Sequence, residues 1–120
     1  NYAMGNYQKA LDVYFELYHR DSTNYQYNFL IGVTYTSILT EKYKAIPYLA
    51  YAIKAPKPDP QAFYYLGQAY HMNHRFDEAI STFEIAKTKF KDNKYGKNSS
   101  KMLNTELKCV LMQKQSSTIL

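Results

Sequence analysis

One steric pattern governs what this chain can fold into. Leu66-Gly67 is followed by Tyr70, Ala79, Phe83 and Ala86. Read on two antiparallel helices, each position has a job. Gly67 lets the helices approach closely, Ala79 and Ala86 keep the returning helix thin, and Tyr70 and Phe83 fill the remaining gap. The same order recurs upstream, where Ile31-Gly32 precedes Tyr35, Ala45, Leu49 and Ala52, and the chain opens with Gly5, Ala10, Tyr14 and Leu17. Ala10 and Ala45 are 35 residues apart, and Ala45 and Ala79 are 34 apart. Phased copies predict an all-α chain of stacked helix hairpins, each burying its apolar stripe against the next.

Leu-Gly with Tyr three residues on, then Ala and Phe four apart, resembles the tetratricopeptide repeat, whose period is about 34 residues. The resemblance implies a helix-turn-helix solenoid of about three repeats, the first truncated, closed by a C-terminal capping helix. The repeats are expected over residues 1–93, as a partial copy at 1–23 and full copies at 24–58 and 59–93, with a linker and capping helix at 94–115 and a tail at 116–120. Such arrays present a surface to a partner, so the expectation is a protein-interaction scaffold and not an enzyme.

Turn and cap residues place the elements. Asn1 to Met4 read as the tail of one helix and Tyr7 to His19 as the next, with Asn6 as its cap. Asp21-Ser22-Thr23-Asn24 is a turn cluster, followed by a helix over Tyr25–Ser37. Tyr35 to Ala45 is one residue longer than Tyr70 to Ala79, so the turn around Leu39-Thr40-Glu41 holds an insertion. Lys42–Lys54 reads as the returning helix, with Pro47 early in it. Asp59 caps and Pro60 opens the next helix, Gln61–Met72. Phe76–Lys89 returns, Lys91 to Asn98 is a polar linker, and Ser99–Lys114 is the capping helix, with Met102, Leu103, Leu107, Val110 and Leu111 at helical spacing. Residues from Gln115 onward read as a frayed tail.

Composition narrows the class. Hydrophobic residues make up 46% of 120, and no apolar run is long enough to span a bilayer, so no direct membrane insertion is expected. Fourteen tyrosines and no tryptophan suit thin helical cores and amphiphilic surfaces, and most of these rings are expected to pack. With one cysteine no internal disulfide can form, and Cys109, beside Val110 and Leu111, reads as a packed thiol. Lys87 to Lys114 holds eight lysines against Asp92 and Glu106, a net of +6, while the remainder nets −1. Lys87, Lys89, Lys91, Lys94, Lys97 and Lys101 therefore form a candidate basic patch for an acidic partner, against the plainer reading of solvated lysines near helix ends. Nucleic acid is not expected as a partner, because arginine is scarce and no nucleic-acid module is present.

On a first helix of each hairpin, the residues facing away from the Leu-Gly stripe fall at i, i+3, i+7 and i+10. These are Gln26, Phe29, Val33 and Thr36 in one repeat and Gln61, Tyr64, Gln68 and His71 in the next. Amides that bond an extended backbone and rings that hold side chains make this the candidate groove for a protein or peptide segment. The plainer reading is a groove left empty or filled by a neighbouring segment. The positions carry no Lys or Arg, which argues against gripping a terminal carboxylate. His71 and His74 have a chelating spacing, but His74 falls in a turn and no third ligand completes a set, so no metal or other cofactor is expected. Asp77 and Glu78 are adjacent and diverge by about 100° on a helix, and no catalytic constellation is visible.

Longer phrases carry a narrower resemblance. Asn6–Leu11 (Asn-Tyr-Gln-Lys-Ala-Leu), Tyr27–Tyr35, Lys44–Leu49, Tyr64–His71 and Arg75–Ile80 together resemble the N-terminal tetratricopeptide module of Bacteroidetes envelope proteins. There the module precedes a β-propeller and an OmpA-like peptidoglycan-binding domain, as in PorE-type components of type IX secretion. The last helix, with Leu107-Lys108-Cys109, resembles that module's capping helix. The resemblance implies a periplasmic, outer-membrane-associated docking platform. The alternatives are a cytosolic peptide-binding adaptor and a regulatory domain of an enzyme encoded outside this segment.

Overall fold

The structure, a computed structural model, describes the backbone of residues 2–91 and 96–119 and the side chains of 5–91 and 101–116. Six α-helices follow one another: α1 (Tyr2–Arg20), α2 (Tyr25–Thr36), α3 (Ala45–Ala52), α4 (Pro60–Met72), α5 (Phe76–Lys91) and α6 (Gly96–Ile119), with a 3-10 turn at Lys42–Lys44 before α3. Each helix packs on its neighbours in sequence, and α2 also touches α4. The all-α hairpin stack expected from the spacing is therefore the architecture, with α2 and α4 side by side in an inner layer.

Local chemistry fixes the boundaries. Asn24 Oδ1 accepts from the Tyr27 amide at 3.0 Å, which caps α2. Asp59 Oδ1 accepts from the Gln61 amide at 2.9 Å, and Pro60 opens α4 where its missing N–H costs nothing. The α4–α5 turn is a Schellman closure. Arg75 N–H donates to the Tyr70 carbonyl at 2.9 Å and His74 N–H to that of His71 at 3.0 Å. His74 sits at φ 61, the left-handed region where glycine is usual. Arg75 then lays its guanidinium over the Tyr70 ring, 5.0 Å from its centroid.

The core has two parts joined by α4. Leu11, Ile31, Tyr35, Ile38, Ala45, Leu49, Leu66 and Ala69 form one. Phe63, Ala79, Phe83, Ala86, Phe90, Leu103, Leu107 and Val110 form the other. Two close approaches hold the hairpins shut. A Cβ on Gly32 would lie 2.5 Å from Leu49 Cγ, and one on Gly67 would lie 2.6 Å from Phe83 Cε1. Leu49, Phe83, Ala45 and Ala79 are fully buried as a result.

Four expectations are corrected. Asn6 is no cap: α1 runs unbroken from Tyr2 to Arg20, because a single glycine at position 5 weakens a helix without breaking it. The stretch from Lys42 to Lys54 is not one helix. It is a 3-10 turn followed by α3, with Pro47 third in α3, inside the turn whose N–H groups have no intrahelical partner. The expected tail at 116–120 is helical through Ile119, since no Gly or Pro follows Gly96, and Ser116 donates its hydroxyl to the Met112 carbonyl at 3.1 Å. Cys109 is exposed, not packed: at 100° per residue it lies about 160° round α6 from the buried Leu107. Of the expected linker, Lys91 closes α5 and residues 96–98 open α6, while 92–95 lie outside the described residues.

Gly32→Ala and Gly67→Ala should each cost about 1–3 kcal/mol by forcing Leu49 or Phe83 aside. Gly5→Ala, where an added Cβ meets nothing within 4 Å, should stabilise by about 0.5–1 kcal/mol. Thermal melting of the three variants separates close approach from simple helix propensity. His74→Gly should raise stability by up to about 1 kcal/mol by relieving the left-handed backbone; an unchanged or lower melting temperature would count against strain at that turn.

Candidate partner-binding groove

The groove-facing residues of α2 and α4 are set by what the opposite arcs bury. Ile31, Gly32 and Tyr35 face the core on α2, as Leu66, Gly67 and Ala69 do on α4. The remaining arc of α2 carries exposed Gln26 and half-buried Phe29, Val33 and Thr36. That of α4 carries Gln61, Tyr64, Gln68 and His71, all half-buried. The two arcs meet where Phe29 stands edge-on to Tyr65, with ring centroids 6.0 Å apart. At the helix starts, Gln26 and Phe29 join Tyr25, Lys57, Asp59 and Ala62 around a cavity of about 170 Å³.

The eight predicted residues do not form one uniform strip. Thr36 spends its hydroxyl on the Val33 carbonyl of its own helix, at 2.5 Å. His71 reaches α6, and Tyr64, which holds Gln68, lies within reach of the Glu106 carboxylate there. Gln68 Nε2 donates to the Tyr64 hydroxyl at 2.7 Å, and His71 Nε2 lies 2.5 Å from Gln113 Oε1 on α6. Burial pushes the Tyr64 phenol above its usual pKa, the Glu106 carboxylate on α6 and Tyr65 add to that, and the Gln68 hydrogen bond opposes it. The result is two adjoining surfaces: an aromatic one between α2 and α4, and a polar, internally bonded one between α4 and α6.

Tyr65, Glu106 and Gln113 are groove residues that the spacing argument passed over. Tyr65 was within reach, because it lies four residues after Gln61 and three before Gln68 and so shares their arc. Gln113 had no local signal, since its contact spans 42 residues.

The described lysines of the expected basic patch are spread over different faces of α5 and onto α6. Lys87 and Lys91 share a face of α5, but Lys89 lies about 160° away from Lys87, with its ammonium 5.7 Å from the Phe63 ring centroid. Lys101 is exposed on α6. Lys94 and the side chain of Lys97 lie outside the described residues. The two acids at the start of α5 are also accounted for: Asp77 pairs with Lys114, and Glu78 accepts from Arg75 Nε at 2.9 Å. Among the described residues, no group of three His, Cys, Asp or Glu gathers as metal ligands, and no helix is long and apolar enough to cross a membrane.

Comparison with known proteins bears on the fold. No protein-family model and no curated protein matches the chain. Among solved structures it is similar to PcrH, seen in complex with the chaperone binding region of PopD, at 17% identity and TM-score 0.79, over 94% of this chain and 84% of that one. It is also similar to the Yersinia enterocolitica type III secretion translocator chaperone SycD, at 19% identity and TM-score 0.78, over 95% and 78%. The shared architecture is a tetratricopeptide-like helical repeat.

The raised phenols set a pH dependence. A group whose folded pKa is raised contributes stability that is complete below its unfolded value, here 10.0, and that is lost as pH rises through the folded value. Tyr35 and Tyr48 are raised for the same leading reason, burial. Melting temperature should therefore fall above about pH 10. The lead of the parent over Tyr64→Phe should shrink across that range, and parallel melting curves would show that Tyr64 ionises freely in the fold.

Proposed function

We propose that this chain is a non-catalytic interaction module that holds an extended segment of a partner protein along its inner face. The observation that carries the reading is the meeting of Phe29 and Tyr65 across α2 and α4. Two large, half-buried rings edge the core there, beside amides that can bond a peptide backbone. An extended segment laid there would bury the rings and pair its backbone with Gln26 and its neighbours, the arrangement of an apolar centre with a polar rim. The likeness to translocator chaperones, one of them crystallised with a segment of its partner, supports this choice over a catalytic or nucleic-acid role.

The finer assignment, to an outer-membrane assembly of the type IX secretion kind in the periplasm, is the reading of the sequence phrases alone. Both structural neighbours come from outside that system, so their likeness favours the general role of a segment-binding chaperone or adaptor over that particular machine.

The test begins with capture of partners from a cell extract, mapping of the bound segment, and titration of that segment as a synthetic peptide. Phe29→Ala and Tyr65→Ala should each weaken binding by about 1–3 kcal/mol, which is roughly 5- to 150-fold in Kd. Lys101→Glu should act on association rate and salt dependence more than on affinity. If Lys101→Glu abolishes binding while both ring truncations leave it intact, an acidic partner docks at the basic end and the groove reading fails.

A further inference from the structure

On the outer side, between the returning helices α1 and α3, lies a pocket that the groove does not use. Tyr18, Ser22, Thr23, Asn28, Pro47, Tyr48 and Tyr51 line a cavity of about 490 Å³, within the range of small-ligand sites. Three phenol rings and a proline ring form its apolar walls, and no Asp, Glu, Lys or Arg lines it.

Its polar groups are arranged unevenly. Asn28 is only 4% exposed. Its Nδ2 donates to two carbonyls, Asn24 at 2.8 Å and Ser22 at 3.2 Å, which fixes the amide orientation because carbonyls accept only from the NH₂ end. Asn28 Oδ1 is then an acceptor with no partner among the described residues. It is not sealed in, since no buried side-chain N or O among them lacks a partner, and Asn28 is one of the residues that line the pocket. Tyr51 gives its hydroxyl to the Thr23 carbonyl at 3.0 Å, and Thr23 gives its own to Asp21 at 2.7 Å. The hydroxyls of Tyr18 and Tyr48 have no such partner among the described residues. Burial, and then Tyr35 and Tyr18, raise the Tyr48 phenol and keep it protonated as a donor.

We propose that this pocket binds a neutral saccharide unit. With no charged side chain in its lining the pocket favours a neutral ligand, the rings call for a flat C–H face, Asn28 calls for a donor, and Tyr18 and Tyr48 call for acceptors. A sugar ring supplies all three at once, because each hydroxyl both donates and accepts. An unbroken run of prolines would suit the rings and the phenols, but it has no N–H to offer Asn28. The pocket's lining shares no residue with the inner cavity, so the site stands whether or not the groove binds a peptide.

The test is an NMR titration of the whole chain with maltose, cellobiose and N,N′-diacetylchitobiose to about 10 mM, with an oligoproline peptide as comparator. At least one disaccharide should shift the Asn28 side-chain amide and the Tyr18, Tyr48 and Tyr51 rings saturably. The double variant Tyr18→Phe/Tyr48→Phe keeps the rings, and should keep the parent melting temperature while binding that sugar about 5- to 10-fold more weakly. If the double variant melts early, Tyr18→Phe alone makes the same comparison, with about a 2- to 5-fold loss. The proposal is overturned if no sugar saturates, if the shifts centre on Phe29 and Tyr65, if oligoproline saturates the pocket in place of the sugars, or if the phenylalanine variants bind as the parent does.

Discussion

The fold depends on two places where a large side chain enters the space of a missing Cβ. Leu49 occupies the face of Gly32, and Phe83 occupies that of Gly67. Each contact lets a pair of helices close to a distance at which alanines, not larger residues, fill the rest of the seam; Ala45 and Ala79 are both at 0% exposure. The approach on Gly32 is the stricter of the two, because the Leu49 backbone nitrogen lies 3.3 Å from the added Cβ, whereas the three nearest atoms at Gly67 all belong to the Phe83 ring. The same register in α1 has Ala10 and Tyr14, both half-buried, which measures how much of the burial comes from the opposing helix and how little from residue type.

Once that seam is fixed, everything on the opposite arc of α2 and α4 is fixed with it. A helix cannot rotate Phe29 or Tyr64 without dragging Ile31 or Leu66 out of the core. The groove is thus the geometric remainder of the core, and its chemistry is whatever the sequence places at those positions. Here that is mainly rings and amides, with Lys57 and Asp59 at the edge of the cavity beside Gln26 and Phe29. The surface suits a segment held by backbone pairing and ring contact better than one held by charge. Helix α6 adds a second role to its packing on α5. Through Gln113 and Glu106 it supplies the polar wall of the groove, so the element that covers the last hairpin also shapes the site.

The legible part of this protein is the part written in short-range spacing. Glycine, tyrosine and alanine at fixed offsets specify the hairpins, and helical phase then specifies which residues of α2 and α4 lie off the buried arcs, Gln26 and Phe29 among them. Element ends were less legible because they turn on competition between weak signals. Asn6 has the chemistry of a cap, yet the helix gains more by continuing through it, and the polar residues after Lys114 look frayed although nothing there breaks a helix. The division of the groove was not legible at all. His71 and Gln68 read as free groove groups until the fold brings α6 beside them, and Lys89 reads as part of a patch until its ammonium is seen above Phe63. The unpaired acceptor of Asn28 is of the same kind, since only the turn at Ser22–Asn24 shows which end of the amide is taken.

Residues 28 and 29 state the economy of the arrangement most plainly. They are neighbours in α2 and so point about 100° apart, one lining the outer pocket and the other the inner groove. The two cavities also share a wall, because Tyr51 of the outer pocket stacks on Tyr25 of the inner cavity, with centroids 5.1 Å apart and planes inclined by 25°. Tyr51 is tethered through its hydroxyl to the Thr23 carbonyl, in the turn that leads into α2. The two cavities therefore adjoin through a direct ring contact that bypasses the core. Because the rings belong to α2 and α3, which the Gly32–Leu49 approach already locks together, the stack is held in place by the same closed hairpin that sets the core.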